Sequence, residues 1–138
     1  SCGCVQKGGK AAISDVLAYA EPVHTKGLNL LYGPGNDLVS STNLTAAGCT
    51  VILFTTGRGT PFGAPAPVAK IATNDRLAER KANWIDFNAG PVASQGESVD
   101  DAGRRLLDLV KEIASGKKTK AEQNGFREIS IFKDGVVL

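Results

Sequence analysis

The sequence predicts an α/β fold with a mainly parallel sheet flanked by helices. Three observations carry that expectation. Short apolar runs of strand length alternate with segments of helical periodicity, the order that crossover connections between parallel strands produce. The runs "TVILFTT" and "VAKIAT" are apolar without in–out alternation, as in strands covered on both faces. Glycine-rich turns follow predicted strands rather than interrupting them. A length of 138 residues fits a single domain over 1–138.

In chain order, "AAISDVLAYAEP" places Ile13, Val16, Leu17 and Tyr19 at mixed helical spacing and predicts a short helix ending before Pro22. In "GLNLLYGPG", Leu28, Leu30 and Leu31 predict a short buried strand that breaks at Gly33-Pro34-Gly35. Asn36 or Asp37 then caps a helix with apolar positions Leu38, Val39, Leu44 and Ala47, closed by Gly48. "TVILFTT" and "VAKIAT" are buried strands, and Thr73 or Asn74 caps the short helix "DRLAERK". "NWIDFNAG" predicts another strand, and "AGPVASQGES" a loop. "VDDAGRRLLDLVKEIASGKK" is the clearest helix. Val99, Leu106, Leu107, Val110 and Ile113 lie near one face, Asp100 and Asp101 sit in the first turn, and Gly116 marks the end. "GKKTKAEQNG" reads as a polar connector, followed by a strand around Ile129–Phe132 and a turn at Asp134-Gly135.

Composition excludes several classes. Charged residues make up 22% of the chain and net charge is +2, with Lys and Arg scattered, so no basic stripe offers a nucleic-acid footprint. No apolar run approaches the ~18 residues of a membrane span, and no secretory signal opens the chain. Cys2, Cys4 and Cys49 form no disulfide framework, so a reducing, cytoplasmic setting is expected. The chain has no Met and opens on "SCGCVQKGGK", which suggests a piece of a longer protein cut near a glycine-rich loop. An intact-mass measurement giving a natural mature chain that begins at Ser1 would overturn that expectation.

In parallel α/β sheets, ligands sit beyond the carboxyl ends of the strands. "YGPGND", "TTGRGTPFG" and "FNAGP" fall at such ends. Each alone is an ordinary tight turn; together they suggest a site. Gly57 and Gly59 let the backbone approach a ligand and present N–H groups, Thr55, Thr56 and Thr60 add hydroxyls, and Asn36 stands in the first turn. Arg58 offers a planar fork suited to a carboxylate or phosphate. The expected ligand is small, anionic and rich in hydroxyls. No P-loop and no G-x-G-x-x-G opening a helix is present. Asp86, among apolar neighbours in "WIDFNAG", is the acid most in need of a partner, a metal or hydrogen-bond donors; Asp37 is a second carboxylate near a predicted loop. Lys7 is a candidate base or anion contact, whereas His24 lies in a polar connector and reads as exposed. The three thiols match no cluster spacing, and Cys49 reads as a packed residue at the mouth of a strand.

The strings "CVQKGG", "GLNLLYGPGNDLVSSTNLTAAGC", "LFTTGRGTPFG", "KIATNDRLAERKANWIDFNAG" and "NGFREISIFKDGVVL" resemble, in order and spacing, the C-terminal part of the altronate dehydratase / galactarate dehydratase family. "GPGND", "WIDF" and the ending "FREISIFKDGVVL" lean toward the altronate branch. The family also includes a sulfolactate sulfo-lyase large subunit with similar strings.

The resemblance implies a Rossmann-like variant within a larger domain, preceded by a β-rich N-terminal domain of the same polypeptide. It implies a hydro-lyase that dehydrates a sugar acid to a 2-keto-3-deoxy acid. The divalent metal would be iron(II), with manganese(II) as the alternative, held largely by residues upstream of this chain. Arg58 and Lys7 are then the catalytic candidates. Thr55, Thr56, Gly57, Gly59, Thr60 and Asn36 are the substrate-binding candidates, and Asp86 and Asp37 the metal candidates. Cys2 departs from the family pattern, while Cys4 and Cys49 lie within matching strings. The fragment alone is expected to be inactive, and homo-oligomerisation is left open. Sulfite elimination from sulfolactate, or a non-catalytic small-anion-binding α/β module, are the alternatives.

Overall fold

Every strand pairing among the described residues is parallel, as the strand composition predicts. The computed structural model describes residues 6–131 and 133, with the Lys7 side chain excepted. A 3-10 turn, Gln6–Gly8, precedes strands β1 (Ile13–Leu17) and β2 (Leu28–Leu31) and helix α1 (Asp37–Ala46). Then follow β3 (Ile52–Thr56), β4 (Val68–Ala72), α2 (Asp75–Arg80), β5 (Phe87–Asn88), α3 (Pro91–Ser94), α4 (Val99–Ala114) and α5 (Lys120–Gln123). These elements gather into two compact units. One holds the described residues up to Cys49 together with Ser130, Ile131 and Lys133; the other is Thr50–Ile129.

In the first unit β1 pairs with β2, and α1 supplies the anchor. Asn36 caps α1 as its sequence position predicts, its side-chain oxygen accepting from the N–H of Leu38 and Val39. Asn43, buried in α1, accepts from the Ala20 N–H at 2.7 Å and donates to the Tyr32 carbonyl at 3.0 Å. One buried carboxamide thus satisfies a backbone group in each of two connecting segments.

In the second unit the strand order is β3-β4-β5. The register Ile52↔Val68 through Thr56↔Ala72 ends β3 and β4 at the same level. The residues after them, Gly57-Arg58 and Thr73-Asn74, therefore leave the sheet side by side. All five residues of β4 are buried, which fits its unalternating sequence. Ala72, Leu77 and Ile85 form a small core that seats α2 on the end of the sheet. Asn74 caps α2 by accepting the Leu77 N–H at 2.9 Å.

Several expectations are corrected. The segment predicted as a helix from Ala11 is the strand β1. Its apolar residues never complete a helical stripe, and Ile13 and Val16 are β-branched residues that stay exposed while the backbone pairs with β2. β3 is not covered on both faces: Leu53 is 46% exposed and Thr55 is exposed, so only alternate residues face the core. The strand predicted over "NWIDFNAG" is two residues long. The predicted loop and connector each hold one helical turn, α3 and α5, the latter closed by a Thr119/Glu122 capping box. Ile129, Ser130 and Ile131 form no strand. Phe132 and the Asp134-Gly135 turn lie outside the described residues.

Candidate functional site

The carboxyl ends of β3 and β4 open into a cleft of about 470 Å³ lined by Gly57, Arg58, Asn74, Arg76, Leu77, Arg80 and Lys81. Its position follows from the register, because two parallel strands end together and their exits must diverge around α2. The turn after β3 is tied down at several points. Thr56 Oγ1 accepts the Gly59 N–H at 2.9 Å, Asn74 Nδ2 donates to the Gly57 carbonyl at 3.3 Å, and Lys81 Nζ donates to the Arg58 carbonyl at 3.2 Å. Gly59 has φ +80, a conformation that favours glycine, and a Cβ there would sit close against the Leu77 and Lys81 side chains. With its backbone held, Arg58 presents an exposed guanidinium to the cleft.

The electrostatics are one-sided. Arg58, Arg76, Arg80 and Lys81 place four cations on the lining, and no carboxylate lines it. Among the described residues, none of the three guanidinium groups enters an ion pair. Arg76 and Arg80 stand at i and i+4 on α2, a like-charge spacing that costs a helix about 0.2–0.5 kcal/mol. Lys81 is partly occupied, its ammonium 4.4 Å from the Trp84 ring centroid. Of the two carboxylates adjacent to these arginines in sequence, Glu79 does not line the cleft and Asp75 is already engaged: Asn88 Nδ2 donates to Asp75 at 2.6 Å and Ser94 Oγ also donates. Those bonds hold its carboxyl below the ordinary range. The arrangement suits an anion.

The rest of the loop is braced from beneath. Lys70, buried in β4, donates from Nζ to the Phe62 carbonyl and lies 5.0 Å from the Phe62 ring centroid. Burial pushes its pKa down, against the opposing pull of Asp86 and Glu128. Glu128 accepts the Gly63 N–H at 2.8 Å, and Gly63 packs so closely on the Phe126 carbonyl that a Cβ would collide with it. Asp86 accepts the N–H of Lys70 at 2.8 Å and of Lys120 at 2.7 Å. Burial raises its pKa, and those two backbone bonds work against the rise. Asp86 thus finds a backbone donor for each oxygen and joins β4 to α5.

A family model described as D-galactarate/altronate dehydratase, C-terminal, matches residues 1–137. The chain belongs to the D-galactarate/altronate dehydratase family. It is 51% identical over its whole length to an altronate dehydratase of Bacillus subtilis and 49% identical to one of Escherichia coli, spanning 28% of each. It is 39% identical to the galactarate dehydratase (L-threo-forming) of Escherichia coli, with 98% of this chain covered and 26% of the relative. The chain therefore spans little more than a quarter of the length of the curated relatives it matches, and corresponds to the family's C-terminal part. No helix among the described residues is long and apolar enough to cross a membrane.

Of the residues predicted from sequence, the cleft brings together Gly57 and Arg58. Gly59, Thr56 and Thr60 belong to the same turn without lining the cleft, and Thr56 serves the turn through its Gly59 bond. Thr55 precedes Thr56 in β3, so the two side chains project to opposite faces of the sheet. Asn36 and Asp37 belong to the other compact unit, where Asn36 caps α1 and Asp37 is exposed in its first turn. Lys7 lies in the 3-10 turn, and its side chain falls outside the described residues, as do Cys2 and Cys4. Cys49 is half-buried, and burial pushes its thiol up, toward the protonated form. Among the described residues no three or more His, Cys, Asp or Glu side chains form a metal-holding group, so they do not by themselves compose the expected metal site. Sequence reasoning missed Asn74, Arg76, Arg80 and Lys81. The readable signal was a capped helix opening at a strand's carboxyl end with Arg at i and i+4.

Proposed function

We propose that this chain is the C-terminal catalytic segment of a hydro-lyase that removes water from a sugar acid of altronate or galactarate type, giving a 2-keto-3-deoxy acid. The observation that carries the proposal is the cleft with four cations and no lining carboxylate at the carboxyl ends of β3 and β4. In this reading Arg58 takes the substrate carboxylate in a bidentate grip, and Arg76, Arg80 and Lys81, which line the same cleft, face the sugar hydroxyls. The proton on C2 passes to a base, the C3 hydroxyl departs as water after taking up a proton, and the enol tautomerises to the 2-keto acid. Negative charge grows next to a carboxylate that is already anionic, and fixed cations stabilise that growth more than they stabilise the ground state. Lys7, in the family string "CVQKGG", is the candidate base within this chain.

The divalent metal, iron(II) or manganese(II), would supply Lewis-acid stabilisation of the developing enolate. Both Asp86 oxygens already accept backbone N–H groups, so in this reading the ligands belong largely to the rest of the polypeptide. The test is an assay of the full-length gene product with iron(II) under reducing conditions. Keto-deoxy acid from altronate or galactarate supports the proposal. Sulfite released from sulfolactate instead would reassign the chemistry. Turnover unchanged in Arg58→Ala would remove the cleft from the mechanism.

A further inference from the structure

A second depression in the Thr50–Ile129 unit has the opposite chemistry. It is a groove of about 390 Å³ between the β4–β5 face and helices α3 and α4, lined by ten residues that include Ile71, Phe87, Val92, Val99 and Leu106. No charged residue lines it. Helix α4 makes its incompleteness plain. The helix carries a well-formed apolar stripe, yet of its residues only Ala102 and Ile113 are buried, and Val99 is 74% exposed. A stripe of that kind marks a face that is normally covered.

Gly103 points the same way. It sits inside α4 and lines the groove, and a Cβ built there would meet nothing within 4 Å among the described residues. Its backbone is ordinary right-handed helix, so neither turn geometry nor the packing of the described residues calls for glycine. A glycine inside a helix costs about 0.5–1 kcal/mol relative to alanine. Close approach by a group beyond the described residues gives that glycine a reason.

We infer that an upstream segment of the same polypeptide seats in this groove and covers Val99 and Leu106. Two arguments favour that occupant over a second copy. In a two-fold interface a patch meets itself, and two concave grooves set face to face leave a void. A covalently attached segment also needs far less area than a separate partner, because its effective concentration is high. The relatives supply such chain, since the matched part is only 28% of their length and is the C-terminal part.

The full-length gene product tests this. Val99→Cys and Val92→Cys are each compared with Asp108→Cys, on an exposed stretch of α4, for rate of maleimide labelling resolved by peptide mass spectrometry. The expected result is labelling at least tenfold slower at positions 99 and 92 than at 108. A photo-crosslinking residue at position 99, in a mixture of isotopically light and heavy protein, identifies the cover. Crosslinks within one chain to residues preceding Ser1 support the inference. Crosslinks between light and heavy chains, crosslinks confined to 1–138, or labelling at 99 and 92 as fast as at 108 would each overturn it.

Discussion

The cationic cleft and the apolar groove lie on one compact unit, and they are unfinished in different ways. The cleft's backbone is fully tied: Thr56, Asn74 and Lys81 fix the turn, and Lys70 and Glu128 brace the loop beyond it. What it leaves unmatched is charge. The groove has no charge to match and leaves apolar surface bare. A surplus of like charge on a rigid frame suits a small ion that comes and goes, because little must be reordered on binding. Bare apolar surface beside an open helical glycine suits a permanent neighbour. The difference teaches that exposed features of one unit can answer to ligand and to chain, and that mutations should separate them.

The sharpest separation is expected from Arg58→Ala in the full-length enzyme. Loss of a preorganised charged contact should lower kcat/KM roughly 10²–10³-fold, about 2.7–4 kcal/mol of transition-state stabilisation. The substituted residue is exposed, so stability should stay within about 0.5 kcal/mol. A thermal midpoint that falls along with activity would mean that Arg58 braces the loop instead. Next in size, Asp86→Asn replaces an acceptor of two backbone N–H groups with a side chain that has one acceptor oxygen. It should cost about 1–3 kcal/mol in denaturant unfolding, and an unchanged midpoint would refute the latch assigned to Asp86. Lys70→Met exchanges a desolvated cation for an apolar chain of similar length but takes the donor from the Phe62 carbonyl, so it should cost about 1–3 kcal/mol. Freeing the Phe62 carbonyl should still loosen the cleft loop and raise KM several-fold with kcat less affected; steady-state kinetics showing no change in KM would uncouple the brace from the cleft.

The smallest effect concerns pH. The Asp75 carboxyl is held below its ordinary range by Ser94 and Asn88. Such a group contributes stability that is complete above the unfolded pKa, about 3.9, and that disappears as pH falls through the lower folded value. The stability gap between wild type and Asp75→Asn should therefore be open at neutral pH and close below about pH 4. Urea midpoints whose gap stays constant down that range would contradict the assignment.

Legibility followed the range of the interactions. Local signals were sound: Asn36 and Asn74 cap the helices their positions predict, and α4 occupies the segment with the strongest helical pattern. The glycine–arginine turn was visible because its oddity lies in consecutive residues. β1 was misread because its pairing with β2 is a tertiary fact, and five mostly exposed residues carry little periodicity of their own. Half of the cleft was hidden for a similar reason. Arg76 and Arg80 look like ordinary surface residues of a short helix until the β3–β4 register brings Arg58 beside them. The buried Lys70 was beyond reach, since a lysine in an apolar strand makes sense only once the Phe62 carbonyl is seen above it.

The closure of Gly63 by Phe126 and Glu128 bears on how the protein is made. The groups that meet there are 65 residues apart in the Gly63–Glu128 bond, so the loop bearing Arg58 emerges from the ribosome long before its clamp does. Chains fold largely as they are synthesised, earlier segments first. The nascent polypeptide thus carries its arginine on an unfastened loop until Phe126 and Glu128 have been translated, and the clamp on that loop closes only afterwards.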